Sequence, residues 1–531
     1  MDVVALVTDC IIIALELLCW WYVLRYNLHT FQQNSYMTLE QLRWLRGAWM
    51  RQDVLLVGLA TTALAVWTPF EIFDLIAIVV WGFALYYFHF LSVYLSKKPL
   101  VFTARVKRMI FTDAVLSLAA VVAAFVMGGH GVASFVLACV VTCQMFIVLL
   151  ANLINQPVER AINQHYINEA KRLLADCPNL DVIGVTGSFG KTSVKSYLDV
   201  LLKDRFDLLV TPGNFNTTLG VVKTVRASLR RTNELFICEM GARYVGDIKE
   251  ICDLVHPRYG VVTAIGPQHL DTFGDLEAIK RTKFELVDAL PADGVAFLNY
   301  DNEHVRTMAE GRSNVVAYGT TDEAAAAAGE RGLYRAVDIA LSSHGTSFTL
   351  LTPSGESCDY QMRLVGGHNV VNVVGALAVA HELGVPLVSL RTSVRKLRPV
   401  EHRMAMREQG GATIIDDAYN SNPIGSRAAV ETLAMFEGTH ILVTPGMVEL
   451  GADQDHYNYE FGKVAATCCD YIAIVGKENR EALQRGVLDG GMAAERVRTF
   501  NRVEDAISYA YTVGGDAHRY ILLENDLPDI Y

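Results

Sequence analysis

The stretch Asp181 to Ser193, DVIGVTGSFGKTS, sets a run of apolar residues directly before two glycines, a lysine and two hydroxyl side chains. Few folds accommodate that order. Val182 to Val185 reads as a buried strand, Gly187 and Gly190 permit a tight turn, and a helix begins near Lys191. Backbone N–H groups in such a loop converge on one anion, and the helix N-terminus adds its positive end. The segment is therefore read as a phosphate loop. Lys191 is placed for β and γ phosphates and Thr192 for magnesium, with Thr186, Gly187, Ser188, Gly190 and Ser193 as the other nucleotide candidates. The spacing departs from the common eight-residue loop, because Val185 stands where that pattern has its first glycine.

The chain is 52% hydrophobic with a mean hydropathy of +0.26, too apolar for an average soluble protein. The excess lies in residues 1–155, which read as a helical transmembrane region. Five spans are expected, at about 2–24, 53–68, 71–95, 110–127 and 131–154, the second being short for a crossing helix. Arg25, Arg43, Arg46 and Arg51 follow the first span, and Lys97, Lys98, Arg105, Lys107 and Arg108 follow the third. Both loops belong on the cytoplasmic side, and the remaining connections carry no Lys or Arg. An odd number of spans then sets the N-terminus outside and the rest of the chain in the cytoplasm, a multi-pass cell-membrane arrangement. The first span lacks a basic start and a cleavage site, so it is expected to stay. Asp9, Glu16, Asp74 and Asp113 fall in or near spans, where ionisable groups are costly. They serve either function or polar helix contacts. The Met and aromatic residues of Trp81 to Tyr94 read as lipid-facing or packing groups.

Residues 156–180 read as a linker, 181–400 as an α/β nucleotide-binding domain and 401–531 as a second, Rossmann-like domain. Alternating stretches near 333–365, such as Thr346 to Leu351, indicate an antiparallel patch. The run Ala324 to Ala328 reads as a helix or linker. Strands are expected at Ala412 to Ile415, His440 to Val443, Tyr471 to Val475 and Tyr520 to Leu523, between helical segments. Ten scattered cysteines suggest free thiols, and a net charge of −11 without a basic stripe argues against a nucleic-acid partner. Glu239 ends the apolar run Leu235 to Cys238, at the carboxyl end of an expected parallel strand where α/β sheets bind ligands. It suits one metal ion. His269 follows a second such run, Gly260 to Ile265, and is available to another. A single Glu or His at a strand end is more often only a hydrogen-bonded polar residue.

Thr186 to Thr192, in the form Thr-Gly-x-x-Gly-Lys-Thr, resembles the phosphate loop of the Mur ligases, the ATP-dependent amide-forming enzymes of cell-wall precursor synthesis. Further blocks follow in that family's order: TPGNFNTTLG (Thr211 to Gly220), EMGA (Glu239 to Ala242), GPQHLDTFGDLEAIKRTK (Gly266 to Lys283), GGHNVVN (Gly366 to Asn372), EHR (Glu401 to Arg403), DDAYNSNP (Asp416 to Pro423) and PGMVELG (Pro445 to Gly451). The last two look most like the MurF branch, which adds D-alanyl-D-alanine to a UDP-linked muramoyl tripeptide.

The resemblance implies ATP and two magnesium ions, with Thr192, Glu239, His269 and Lys283 about the metals. Lys283 lies where most members carry a lysine carbamate, fourteen residues after His269. A charged lysine has no lone pair and cannot ligate, whereas its carbamate is an anion. The bland alternative is a solvated helix lysine, the reading preferred for Lys280 and Arg281. Asn372, ahead of Asn369, is implied for adenine, and Arg403 and Asp417 for the phosphates and ribose once the domains close. Asn420 and Asn422 stand where the family orients its amine, or are simply turn formers before Pro423. Joining a carboxylate to an amine in water requires activation as an acyl phosphate, for which positive charge must surround the transfer.

Departures from the MurF pattern are also present. The soluble domain that holds the UDP end of the substrate has no counterpart between the apolar region and the phosphate loop. Thr217 and Val222 replace an asparagine and a proline common in that branch. The acceptor is therefore expected to be a peptidoglycan precursor, UDP-linked or lipid-linked, with an amino acid or dipeptide as amine and membrane lipids as partners. A Mur-type ligase making polyglutamate or an amidated lipid-linked peptide, and a membrane-coupled ATPase, are the other readings. Lys283, Arg403 and Asp417 as a set weigh against the last.

Overall fold

The computed structural model describes residues 3–34, 36–48, 53–68, 70–93, 99–418 and 421–525. The chain divides into two compact units, Met1–Gln164 and His165–Asp529. Arg51, Lys97, Lys98 and Asn420 lie outside the described residues.

The first unit is helical: α1 (Val3–Gln33), α2 (Thr38–Ala48), α3 (Asp53–Trp67), α4 (Ile72–Val93), α5 (Ala104–Thr142) and the first part of α6 (Gln144–Ala175). Among the described residues three helices, Val7–Gln33, Ile72–Ser92 and Ala104–Thr142, are long and apolar enough to cross a membrane, while the apolar Asp53–Trp67 is shorter. The five expected spans are thus redrawn. Those at 110–127 and 131–154 share α5, which is broken inside by Gly129 at φ 77°, ψ −165°. The second of them is divided again at Cys143, and its remainder opens α6. That helix runs on through most of the expected linker, because hydrogen bonding along a helix does not stop where hydropathy falls.

The ionisable groups of this unit bind helix to helix. Glu16, fully buried, accepts from Thr62 Oγ1 (3.1 Å) and Ser134 Oγ (3.1 Å), and Trp81 Nε1 donates to Thr62 Oγ1 (2.9 Å). Asp113 accepts from Gln144 Nε2 at 2.7 Å, and Asp9 meets His130 at 3.0 Å. Arg108 grips both oxygens of Glu159, at 2.7 and 2.8 Å. Each contact answers the polarity of a group that apolar surroundings would penalise. The aromatics of α4 divide between packing and surface: Trp81 is fully buried, whereas Phe83 and Tyr86 are exposed.

In the second unit a nine-stranded sheet carries β1 (Asp181–Thr186), β2 (Leu208–Val210), β3 (Leu235–Glu239), β4 (Tyr259–Val262), β5 (Val295–Asn299), β6 (Val315–Gly319), β7 (Leu333–Ser342), β8 (Gly345–Leu351) and β9 (Ser357–Met362). Its order is β2-β3-β1-β4-β5-β6-β7-β8-β9. The strands are parallel as far as β7, and β8 and β9 continue antiparallel, so the expected patch at 333–365 extends the main sheet. β1 lies between β3 and β4, with Val185 opposite Glu239 and Thr186 opposite Val262. Alternate residues of β1 serve opposite faces. Ile183 and Val185 join Val194, Leu198, Phe297, Tyr318, Val373 and Leu377 in one core, and Val182 joins Phe236, Ile251 and Leu286 in another.

A six-stranded sheet follows, with β10 (Ala405–Gln409), β11 (Ala412–Asp417), β12 (Thr439–Thr444), β13 (Tyr471–Val475), β14 (Val497–Phe500) and β15 (Arg519–Glu524) in the order β10-β11-β15-β12-β13-β14. Only β10 is antiparallel, and helices cover both faces. All four strands expected here are present. Phe297 is fully buried at the centre of the larger sheet. Phe297→Ala is expected to cost about 3–5 kcal/mol, read as a lowered denaturant midpoint of the full chain.

Candidate active site

The loop after β1 is pinned to its neighbours before any ligand is considered. Ser188 N donates to Ala264 O (2.7 Å) and its hydroxyl to Gly266 O (2.9 Å), while Thr186 Oγ1 donates to Met240 O (2.9 Å). These two hydroxyls are used by the fold. Gly187 (φ 149°) and Gly190 (φ 81°) have no room for a side chain: a Cβ would lie 2.1 Å from Thr263 Oγ1 and 2.7 Å from Asn372 Oδ1, respectively. Gly190 caps α7 (Lys191–Leu202), whose N-terminus therefore opens on the loop. Ser193 is buried. Lys191 Nζ folds back onto the carbonyls of Gly187 (2.6 Å) and Ser188 (3.2 Å). Burial, with Arg403 adding and Glu239 opposing, pushes its ammonium down to about 8.

Glu239, at the end of β3, is 1% exposed. Its Oε1 accepts from Thr192 Oγ1 (3.1 Å) and Asn216 Nδ2 (3.0 Å), and its Oε2 pairs with Lys195 Nζ at 2.9 Å. Burial would raise this carboxyl, but Lys195 and Lys191 outweigh it and hold the group below its ordinary value. An ionised carboxylate oxygen beside a threonine hydroxyl is the hard-oxygen pair that magnesium takes when phosphate and water supply the other ligands. Among the described residues no three His, Cys, Asp or Glu side chains converge as a metal cluster. Thr192 and Glu239 therefore fit one ion with few protein ligands.

His269 is held through one ring nitrogen. In left-handed backbone (φ 52°), it hydrogen-bonds the Glu449 carboxylate through Nδ1, and Leu270 N donates to Glu449 O at 2.8 Å. Arg243 adds an ion pair to Glu449 at 3.5 Å. The contact uses Nδ1 and leaves Nε2 as the nitrogen that the expected second metal set of His269 with Lys283 would use. Lys283, in the helix Leu276–Asp288, is 2% exposed, which removes the solvated-lysine reading. Burial and the charge of Lys191 push it down to about 7. Lys280 pairs with Glu277 at 2.6 Å, as an ordinary surface lysine does.

Asn369 spends its amide on Tyr197 Oη (2.7 Å) and Val365 O (2.9 Å), so it is a packing residue. Asn372, facing Gly190, is the asparagine at the loop. Arg403 Nη2 reaches from the second sheet's domain to Thr192 Oγ1 at 3.1 Å. Asp417 accepts from Met404 N (3.1 Å), and burial beside Glu524, against the pull of Arg403, pushes it up to about 7. Asn422 caps the helix Pro423–Leu433 through Ile424 N and Gly425 N, which is the turn-forming role. Sequence reading assigned nothing to Lys195, Asn216 or Glu449. Asn216 and Glu449 stood inside recognised blocks, and Lys195 lies one helical turn after Lys191 on the same face.

A phosphate loop at the carboxyl end of a central parallel strand, an acid ending the next strand, and a second α/β domain reaching back to the loop define a two-domain nucleotide-binding protein. Residues 185–380 match the Mur ligase middle domain and residues 402–523 the Mur ligase, glutamate ligase domain, together more than half of the sequence. The chain belongs to the Mur ligase family. It is 32% identical over 302 residues to the UDP-N-acetylmuramoyl-tripeptide--D-alanyl-D-alanine ligase of Escherichia coli, covering 56% of this chain and 65% of that one. The Bacillus subtilis enzyme of the same name is 30% identical over 286 residues, covering 53% and 60%. The chain therefore spans less than two thirds of the length of these relatives. Among solved structures, MurF from Acinetobacter baumannii superposes with a TM-score of 0.62 at 26% identity, over 68% of this chain and 77% of that one.

Gly190→Ala forces a Cβ toward Asn372 and into left-handed backbone, a strain on the order of 1–3 kcal/mol. It is expected to weaken binding of a fluorescent ATP analogue about tenfold or more while leaving the circular dichroism spectrum unchanged.

Proposed function

We propose that this protein is a membrane-anchored, ATP-dependent amide ligase of the MurF type, joining D-alanyl-D-alanine or a similar amine to a peptidoglycan precursor. The observation that carries the reading is the bond from Arg403 to Thr192, which brings the second domain onto the phosphate loop. Such closure excludes water from a reactive intermediate. A hydrolytic engine has no need to protect an acyl phosphate, so this contact also weighs against the membrane-coupled ATPase. The similarity to MurF enzymes supports the D-alanyl-D-alanine branch over the polyglutamate one.

In the proposed reaction an acceptor carboxylate oxygen attacks the γ-phosphorus of ATP, and ADP leaves. The amine nitrogen then attacks the acyl carbon, phosphate leaves and the amine gives up a proton. Lys191 swings from its loop carbonyls to the β and γ phosphates, the loop N–H groups hold the same anion, and Asn372 faces the adenine. Arg403 adds positive charge to the phosphates, with Asp417 at the ribose. Thr192 and Glu239 would hold magnesium, which supplies charge neutralisation on the transferring group. A second ion would take His269 through Nε2, with Glu449 orienting the ring from Nδ1, and would need Lys283 converted to a carbamate.

That conversion suits Lys283, because only a neutral amine forms an N–C bond with carbon dioxide, losing a proton as the carbamate appears. An ordinary lysine is almost wholly charged at neutral pH, whereas a group pushed down to about 7 is half neutral there. The helical first unit, with three helices of membrane-spanning length among the described residues, supports multi-pass anchoring, and the Lys and Arg that follow the first and third expected spans favour ligase domains in the cytoplasm beside ATP. We further propose that it takes the place of a UDP-holding domain by docking a polyprenyl-linked acceptor.

Detergent-purified full chain, given ATP, magnesium and D-alanyl-D-alanine, is expected to add the dipeptide mass to UDP-muramoyl tripeptide or to its lipid-linked counterpart, read by mass spectrometry. Phosphate release without an adduct on either acceptor would favour the ATPase. With 13C-bicarbonate, a carbamate NMR signal is expected that falls as pH drops through about 7 and is absent from Lys283→Ala. A wild-type spectrum without that signal would leave Lys283 a plain buried amine.

A further inference from the structure

Lys195 is 5% exposed and projects from α7 into the core of the site. Its ammonium makes two contacts: Glu239 Oε2 at 2.9 Å and Gly213 O at 2.6 Å. Gly213 belongs to the loop between β2 and the helix Thr218–Ser228. The same loop returns Asn216 Nδ2 to the other carboxylate oxygen at 3.0 Å, and Gly241 N fixes Asn216 O at 2.7 Å. Glu239 is therefore tied to this loop from both oxygens. Oε2 is bound by a cation, while Oε1 is the oxygen that faces the Thr192 hydroxyl.

We infer that Lys195 is a positioning residue that serves as the resident counter-ion of Glu239, dividing the carboxylate so that Oε1 alone is presented to magnesium and the loop Thr211 to Gly220 is held ready before the ion arrives. This rests on the assignment of magnesium to Thr192 and Glu239 made above. The physical reason is the position of Glu239. A carboxylate with 1% exposure cannot stay ionised without a partner, and removing one member of a buried pair costs far more than the pair contributes. Two other cations stand near. Lys191 is committed to the carbonyls of Gly187 and Ser188, and Arg403 Nη2 donates to Thr192, so neither makes the direct contact with Oε2 that Lys195 makes. Lysine suits the place because its compact ammonium serves a carboxylate and a carbonyl in different directions, whereas an arginine fork is planar and larger.

With Lys195 present the site folds without metal. With Lys195 removed, the buried carboxylate needs a cation from solution, and magnesium becomes a structural requirement. Binding of the ion to the folded form alone then raises stability by mass action.

The test is the thermal midpoint of the detergent-purified full chain, without nucleotide, in EDTA and in excess magnesium chloride. Wild type is expected to shift little between the two. Lys195→Met is expected to melt on the order of 5 °C or more lower in EDTA, with more than half of the loss restored by magnesium. Lys195→Arg, which keeps the charge, should fall between them. Adding Glu239→Gln to Lys195→Met should recover the EDTA midpoint and abolish the magnesium response, which also covers the case in which the single variant fails to accumulate. A loss of equal size in EDTA and magnesium, or a double variant no better than Lys195→Met, would make Lys195 a packing residue and overturn the inference. A magnesium response in no variant would remove the metal assignment and the inference with it. None of these readings uses product formation, so failure of the ligase assay is a separate result.

Discussion

The Glu239 carboxylate is the charge around which the catalytic unit is arranged. It sits at the end of β3, beside the strand that carries the phosphate loop, and is almost wholly removed from water. Two segments answer it: α7 through Thr192 and Lys195, with Lys191 acting through space, and the loop after β2 through Asn216. In a low-dielectric setting each partner is worth more than at a surface, and each absence costs more. The geometry of the phosphate loop is consequently coupled to a strand end and to a loop some twenty residues away, and none of the three can shift without exposing an unbalanced charge.

Polar contacts join the second domain to this centre, among them Arg403 on Thr192 and Glu449 on His269. Polar contacts of this kind are readily exchanged for contacts to ligand or water. The His269 contact carries a chemical consequence. A carboxylate on Nδ1 fixes the orientation of the imidazole and leaves Nε2 as the nitrogen a metal would take, so a second ion site and the arrangement of the last domain would be linked through one side chain.

The helical unit solves a different problem with the same rule. Its buried acids, Glu16 and Asp113, are each met by hydroxyl or amide donors from other helices, and Arg108 is met by Glu159. Polar residues here help specify which helices are neighbours, since a buried polar group needs a partner and apolar side chains discriminate little among one another.

Much was legible from residue order alone, for reasons that are local. The phosphate loop is decided by glycines that must turn and a strand that must precede them. The parallel sheet follows from alternating apolar runs and helical stretches, and four of the six strands described after residue 400 follow from their short apolar cores. Asn372, Thr192 and Glu239 were nameable because motif spacing sets their chain positions. Tertiary structure decided what depends on partners distant in sequence. It buried Lys283 and so lowered its pKa, committed Asn369 and Asn422 to packing and capping, turned His269 to Glu449, and brought in Lys195, whose partner lies 44 residues away at the end of a strand. It also merged expected spans into α5 and carried α6 past the hydropathy boundary. Local pattern determines which elements form and where the chain must turn. Burial and charge pairing, which set pKa values and choose ligands, exist only once those elements have been brought together.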